Sequence, residues 1–300
     1  KLIKQIWTLG IQDKELIYVI KRILKAPIKM PEGNLVNPEK GTSQGGILSP
    51  LLTNIVLNEL DHWVESQWQY SKVTDNYSQK PQKNGTVDRC HGYRAMREFT
   101  KLKEMWIVRY ADDFRIFCKT RSDAEKTKIA IEKWLKDRLR LEVSQEKTRV
   151  VNTRQRSMEF LGFSIKVHKK KQDSKYVVDS HISEKALRDK GEKLANQVKV
   201  FCKYRDSDQG VKEVVIYNAM VLGIQNYYRI ATNVASDLNH IQQRTYRIMY
   251  NRLNTQSGNA LRKEGRALTT LEKQRFGKSK SLRYIAGTKE PIYPIYYIQF

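Results

Sequence analysis

The sequence predicts an α+β fold in which an antiparallel sheet with packed helices is followed by a helical region. Residues 106–118 place β-branched and aromatic side chains on both sides of a short acidic turn, which is typical of a β-hairpin. Apolar residues recur with helical spacing on either side of this hairpin, in 49–60 and 122–139. Three more helical patterns follow residue 183, so we expect the mixed part of the fold to come first.

The N-terminal residues predict two short helices and a small hairpin. Residues 1–25 form two helical patterns separated at Gly10, and Asp13 is a suitable N-cap for the second. Residues 27–40 predict a hairpin that turns at 31–34. The chain starts inside a helical pattern without Met or a capping residue, so we expect Lys1 to lie in the middle of a longer protein.

A glycine-rich loop and a helix follow. Gly45 and Gly46 permit a close approach of the backbone to a ligand, and Ser49 with Pro50 predicts an N-cap and first helical residue. A loop that merely precedes a capped helix explains these residues as well. Residues 65–104 are polar, turn-rich and aperiodic, which predicts a surface insertion.

The remaining elements alternate apolar and basic segments. Ser122 is the predicted N-cap of a helix after the hairpin. Gly162 lies between apolar residues, and a glycine in that position permits the close approach of another backbone. The three later helices are predicted to begin near 183, 212 and 237. The third carries a basic face of residues at i, i+4, i+7 and i+11, namely His240, Arg244, Arg247 and Asn251. Residues 254–300 predict a partly ordered extension whose partner elements are missing.

The composition indicates a polyanionic partner. Lys and Arg number 56 against 32 Asp and Glu, which gives a net charge of +24 and a pI near 9.8. No apolar run of 18 residues and no signal peptide occurs, so we expect no membrane partner. Cys90, Cys118 and Cys202 lack metal-binding spacing, so we expect no zinc, and free thiols favour a reducing, cytoplasmic compartment.

Two adjacent carboxylates, Asp112 and Asp113, occupy the turn of the central hairpin. They repel each other, and a divalent cation would relieve that repulsion. Hard oxygen ligands favour Mg²⁺, which binds one or two carboxylates together with substrate phosphates. A polar turn in which Asp has only its usual structural role is the alternative.

The Tyr-Ala-Asp-Asp sequence at 110–113 resembles the active-site box of reverse transcriptases. The loop and helix over 41–61 resemble those that contact the incoming nucleotide in group II intron reverse transcriptases, and 217–228 resembles their thumb, or maturase, helix. The family that the chain resembles is the group II intron-encoded reverse transcriptase/maturase. The resemblance covers 41–64, 106–165 and 212–253.

The resemblance implies a role for each candidate site residue. Asp112 and Asp113 would be catalytic metal ligands for two Mg²⁺ ions, and Lys147 would lie near the leaving pyrophosphate unless it is one more exposed lysine. The implied nucleotide-binding residues are Gln44, Gly45, Gly46, Tyr110 and Ala111, and the implied primer grip is Leu161, Gly162 and Phe163. The implied RNA-binding residues are Arg244, Arg247, Lys169 and Lys170.

The implied architecture is a right-hand polymerase palm over 1–165, a helical thumb over 166–253 and a basic extension over 254–300. Implied partners are intron RNA, an RNA template with its DNA primer, and dNTPs, and a homodimer is a candidate assembly. We expect a bacterial cytoplasm as the location, with an organelle as the alternative.

Two other functions remain open at this stage. A splicing cofactor could bind intron RNA without catalysis, and retron or defence systems contain related enzymes. We also expect the fingers and the first catalytic aspartate to lie outside this chain, because Asp13 is the only aspartate before Asp61 and no strand precedes it.

Overall fold

The computed structural model describes residues 1–30, 32–37, 46–76, 81, 83–86, 89–170, 174–256, 258–287 and 289–296. These residues form an α+β fold whose small sheets are antiparallel. The chain divides into two units, Lys1–Val150 and Val151–Phe300. Within the described ranges, no helix combines the length and the apolar character needed to cross a lipid bilayer.

The first unit contains five helices and two hairpins among its described residues. The helices are α1 (Leu2–Thr8), α2 (Lys14–Lys25), α3 (Ser49–Gln67), α4 (Cys90–Phe99) and α5 (Arg121–Trp134). The strands are β1 (Ile28–Lys29), β2 (Leu35–Val36), β3 (Met105–Tyr110) and β4 (Asp113–Cys118). A 3₁₀ turn covers Lys72–Asn76, and α5 continues into a π-helical turn over Leu135–Leu139.

Helix α3 joins the two apolar cores of this unit. Leu52 near its start packs with Ile6 of α1 and Ile20 of α2. Its later turns pack on α5 and the β3–β4 hairpin through Leu57, Leu60, Val64, Ile131, Leu135, Ile107 and Ile116. One long helix with two buried stretches therefore fixes the position of the central hairpin.

Two predicted helix starts need small corrections. Leu48, not Ser49, is the N-cap of α3, so Pro50 is the second helical residue. Thr120, not Ser122, caps α5, because its hydroxyl oxygen accepts the backbone N–H of Asp123 at 3.1 Å. In both cases a hydroxyl residue next to the helix start is the predicted cap, and only the backbone conformation shows which residue occupies that position.

The loop-like interpretation of 65–104 is wrong for Cys90–Phe99, which is helix α4. Met96 and Trp68 are fully buried, and the ring of Tyr93 contacts both Trp68 and Trp106. The core-facing side of α4 is short, because Met96 and Gly92 are its buried residues. Sequence reasoning missed this helix because it is only ten residues long and lies inside a polar, turn-rich segment.

The second unit combines a three-stranded sheet, three long helices and a C-terminal subregion. Its first strands are β5 (Met158–Phe160), β6 (Phe163–Lys169) and β7 (Tyr176–Ile182). Its long helices are α6 (Glu184–Lys203), α7 (Asp208–Tyr228) and α8 (Val234–Tyr250), the last continuing into a π-helical turn over Asn251–Thr255. The remaining elements are β8 (Leu261–Arg262), α9 (Thr270–Phe276), β9 (Arg283–Ile285) and β10 (Pro291–Ile292).

The three predicted helices are confirmed, and they share one core. Ser183 caps α6 by accepting the backbone N–H of Ala186 at 3.3 Å. The sheet is tied to α8 through Asp237, which accepts the backbone N–H of Ile182 at 2.7 Å and bonds His181 at 2.9 Å. That bond raises the pKa of His181.

The C-terminal segment is part of this core, so the prediction of an extension without partners is wrong. Buried amide side chains of α7 and α8 bind the backbone of 291–295. Asn218 donates to the carbonyl of Pro291 at 2.7 Å and Gln225 donates to the carbonyl of Ile295 at 2.9 Å. The backbone N–H of Ile295 donates to Gln242 at 2.8 Å. These buried side-chain amides are hydrogen-bonded to the backbone of 291–295. This explains why polar residues lie on the inward faces of α7 and α8.

A polar network stabilises the same subregion around Glu272. Arg266 binds the Glu272 carboxylate at 2.9 Å, and Thr269 completes a capping box with it at the start of α9. The Arg266 guanidinium, together with the Tyr293 hydroxyl, holds the pKa of Glu272 at about 2.

Candidate active site

The tip of the β3–β4 hairpin presents the two adjacent carboxylates to solvent. Tyr110 pairs with Asp113, so the connection is the two-residue turn Ala111–Asp112, and Asp113 is the first residue of β4. Ala111 has a φ of +49°, a left-handed conformation that is uncommon for a residue with a side chain. Asp112 and Asp113 are exposed, and within the described ranges neither carboxylate has a hydrogen-bond or ion-pair partner.

Arg109 connects this tip to α3. Its guanidinium binds the Asp61 carboxylate at 2.6 Å and the Asn54 side chain at 2.8 Å, both on α3. It also donates to the carbonyl of Ala111 at 2.9 Å, within the turn itself. Only 10% of the Arg109 side chain is exposed. The turn is therefore anchored to α3 by a charged group that bonds both elements.

Sequence reasoning missed Arg109, although a signal was present. A basic residue inside an apolar strand needs a partner when it is buried. Asn54 and Asp61 are seven residues apart and therefore lie on one face of α3. The two facts together could have predicted the pair, but not that Arg109 also reaches the Ala111 carbonyl.

We expect Arg109→Lys to lower the free energy of unfolding by about 1–3 kcal/mol. A lysine cannot reproduce the forked contacts, so Asp61, which is only 23% exposed, would lose part of its pairing. Urea unfolding followed by circular dichroism measures the change. Arg138→Lys is the matched control, because Arg138 is 66% exposed in its 3.3 Å pair with Glu59 and should change stability by less than about 1 kcal/mol. Equal effects of the two substitutions would contradict the supporting role of Arg109.

The donor set at the tip fits a hard divalent cation only in part. Two carboxylates without competing partners are the ligands that Mg²⁺ takes from a protein when substrate phosphates and waters complete its shell. Across the described residues, no three His, Cys, Asp or Glu side chains lie close enough to hold a metal ion by themselves. The tip therefore offers two carboxylates of the kind that such an ion binds, and the presence of two Mg²⁺ ions stays a prediction.

The other candidate residues of the first unit are less closely associated with the tip. Tyr110 is exposed and Ala111 is partly buried in the turn. Gly46 accepts the backbone N–H of Ser49 at 3.0 Å, whereas Gln44 and Gly45 lie outside the described residues. Lys147 is exposed in a turn closed by the Ser144 carbonyl, and its ammonium has no ion-pair partner in the described part of the chain.

The candidate residues of the second unit form a turn and a basic surface. Leu161 and Gly162 connect β5 to β6, where Phe160 pairs with Phe163. Arg244 and Arg247 are exposed on α8, together with His240 and Asn251, as the helical spacing predicted. Lys169 and Lys170 are exposed at the end of β6. These residues do not establish a ligand by themselves, so their roles remain predictions.

Comparison with protein families gives a match over the first part of the chain. A family model described as reverse transcriptase (RNA-dependent DNA polymerase) matches residues 1–165, which is more than half of the 300 residues. The match includes α3, the central hairpin and the β5–β6 turn.

Curated relatives extend the similarity into the second unit. The group II intron-encoded protein LtrA of Lactococcus lactis subsp. cremoris is 28% identical over 302 residues, covering 82% of this chain and 48% of that protein. The putative COX1/OXI3 intron 1 protein of Saccharomyces cerevisiae is 26% identical, covering 80% of this chain and 33% of the yeast protein. The putative COX1/OXI3 intron 2 protein is 26% identical, with coverages of 74% and 31%. The chain thus spans about half the length of these relatives, or less.

Proposed function

This chain belongs to the reverse transcriptase (RNA-dependent DNA polymerase) family, and we propose that it is the palm and thumb portion of a group II intron-encoded reverse transcriptase/maturase. The observation that carries the proposal is the exposed pair of carboxylates on a two-residue turn, anchored to α3 by Arg109. A protein that only binds RNA has no need of such a pair. The proposed palm is 1–165, the thumb 166–253 and the basic extension 254–300.

In the proposed reaction the chain positions a primer 3′-hydroxyl and a dNTP on an RNA template. Asp112 is the direct metal ligand and Asp113 the assisting one. Bound Mg²⁺, as two ions, supplies Lewis-acid activation of the hydroxyl and charge neutralisation of the leaving pyrophosphate. The proposed nucleotide-binding residues are Gln44, Gly45, Gly46, Tyr110 and Ala111. Lys147, as a point charge, screens or protonates the pyrophosphate.

The second unit holds nucleic acid in this proposal. Leu161, Gly162 and Phe163 form the primer grip, while Arg244 and Arg247 with Lys169 and Lys170 bind RNA phosphates. The net charge of +24 supports a polyanionic partner. The proposed partners are intron RNA, an RNA template with its DNA primer and dNTPs, with a homodimer as a candidate assembly and a bacterial cytoplasm as the location.

Removing Arg244 and Arg247 is expected to weaken RNA binding and flatten its salt dependence. Each neutralised phosphate contributes a slope of about −0.7 to −0.9 in log K against log salt, so the double Ala variant should lose about 1.4–1.8 units of slope. Fluorescence anisotropy between low and moderate salt measures it. Lys126→Ala with Lys133→Ala removes the same charge from exposed positions on α5 and serves as the control. If the slope is unchanged in a folded double variant, this face of α8 does not bind RNA.

A chimera tests the polymerase activity itself. The segment that precedes the matched region in the Lactococcus relative is placed before Lys1, and the chimera is assayed for RNA-templated extension of a DNA primer with Mg²⁺. We expect DNA product. A folded chimera that binds primer–template but makes no product would contradict the polymerase and favour the alternative, a non-catalytic splicing cofactor. A splicing assay with a group II intron RNA would distinguish the maturase from a retron or defence enzyme.

A further inference from the structure

The turn between β5 and β6 is held in an unfavourable conformation. Leu161 has a φ of +51° and Gly162 a φ of +79°, the left-handed pair that a two-residue hairpin turn requires. Glycine adopts this conformation without cost, but leucine has neither the freedom of glycine nor the short polar side chain of Asn. Such a conformation persists only where the surroundings determine it. The turn therefore depends on contacts from outside the hairpin.

Two consecutive tyrosines at the end of α7 supply these contacts. The Tyr227 hydroxyl donates to the Leu161 carbonyl at 3.0 Å. Phe163 stacks on the Tyr227 ring at 5.7 Å and meets the Tyr228 ring edge-on at 5.2 Å. A Cβ atom at Gly162 would lie 3.0 Å from the Tyr228 hydroxyl oxygen, so the tyrosine closes the space beside the turn.

The supporting helix end is itself anchored by hydrogen bonds. Gln225 is fully buried and binds the backbone of 294–295, and Asn226 accepts from Arg275 at 2.9 Å. Tyr228 is only 4% exposed, whereas Tyr227 is 53% exposed. On the other side of the turn, the backbone N–H of Ser183 donates to the Gly162 carbonyl at 2.8 Å. Both turn carbonyls thus accept a hydrogen bond from outside the turn.

We infer that Tyr227 and Tyr228 are positioning residues that fix the Leu161–Gly162 turn so that it can hold the primer end. The inference rests on the proposed function, which assigns the primer grip to this turn. It adds what determines the conformation of the turn: α7, in the proposed thumb, acts through one hydroxyl group and two aromatic rings. Because the Tyr227 ring keeps its stacking when the hydroxyl is removed, the two contributions can be separated.

The test compares Tyr227→Phe with Tyr204→Phe in the 300-residue chain. Tyr204 is a partly exposed tyrosine at the end of α6, away from the turn, and is the matched control. Two quantities are measured: amide hydrogen exchange of peptides covering 160–165 and 183, and binding to a DNA primer on an RNA template with a recessed 3′ end. The reference for binding is a blunt hybrid of the same length.

We expect Tyr227→Phe to speed exchange in the turn and to lower the preference for the recessed end about three- to tenfold, the value of one hydrogen bond. Binding of the blunt hybrid should not change, and Tyr204→Phe should change neither quantity. Leu161→Asn tolerates the left-handed conformation, so in that background the loss on Tyr227→Phe should fall below about twofold.

Three results overturn the inference. Unchanged exchange shows that Tyr227 does not hold the turn. Faster exchange with an unchanged end preference shows a contact that is structural only, and an equal loss for both duplexes shows general damage to the fold. A parent chain that binds both duplexes equally overturns the primer role that the proposed function gives the turn, while the exchange data still decide whether Tyr227 holds it.

Discussion

Asp112→Asn in the chimera is expected to reduce RNA-templated primer extension at least about a hundredfold. The substitution keeps the size of the side chain but removes the charge that a direct metal ligand supplies. Several kcal/mol of transition-state stabilisation depend on that charge, and each 1.36 kcal/mol is about tenfold in rate. Single-turnover extension at saturating primer–template and Mg²⁺ measures the chemical step separately from binding.

The exposed position of Asp112 makes this result informative. Because the carboxylate has no partner among the described residues, its removal breaks no contact of the fold. Affinity for primer–template, which depends on basic residues, should change by less than about twofold. Asp137→Asn, an exposed carboxylate in the turn after α5, is the control and should extend at the parental rate. If Asp112→Asn extends the primer at nearly the parental rate, the Asp-Asp pair is an ordinary polar turn without a catalytic role.

The sequence predicted the central hairpin because its signal is local. β-branched and aromatic residues surround the acidic turn, and the observed register pairs Tyr110 with Asp113. The Arg109 support could not be derived from the strand alone, since its carboxylate partner Asp61 lies 48 residues earlier on α3. The spacing of Asn54 and Asp61 on α3 could indicate a partner for Arg109, but the bond to the Ala111 carbonyl depends on how α3 packs on the hairpin, which the helical period does not reveal.

The C-terminal segment shows the same limit. Asn218, Gln225 and Gln242 are buried polar residues of α7 and α8, and their binding partner is backbone some 50–75 residues later. Nothing in the composition of 254–300 indicates that these amides would bind it. The helices α6 to α8 were predicted correctly, because a stripe such as Leu194, Val198 and Phe201 repeats at the helical period.

The strained turn at Leu161 was also beyond prediction. Phe-Leu-Gly-Phe suggests a close approach at the glycine, and the structure places the Tyr228 hydroxyl oxygen 3.0 Å from where a Cβ would be. Leucine at a left-handed position contradicts its own preference, however. Local sequence rules fail where tertiary contacts determine the backbone, and such failures are expected to concentrate at functional sites.

The 300-residue chain by itself is expected to bind primer–template but to extend it at less than about 1% of the rate of the chimera. The proposed two-metal chemistry needs ligands on both sides of the metal pair, and the hairpin tip would supply only one side. Two other aspartates of the same unit are already engaged. Asp61 is bound by Arg109, and Asp13 accepts the backbone N–H groups of Glu15 and Leu16 as the cap of α2.

An incomplete ligand set leaves the reacting groups poorly placed, and a displacement of about 1 Å can cost roughly a hundredfold in rate. Binding should survive, because the basic face of α8 and the β5–β6 turn belong to a unit with its own core. Parallel assays with Mg²⁺ and Mn²⁺ on one preparation measure extension and affinity together. Extension at the rate of the chimera would mean that a third carboxylate lies within these 300 residues. In that case Asp61→Asn and Asp13→Asn would be compared, and the variant with the larger loss of extension rate would identify the third carboxylate. Asp61→Asn also removes the carboxylate partner of Arg109.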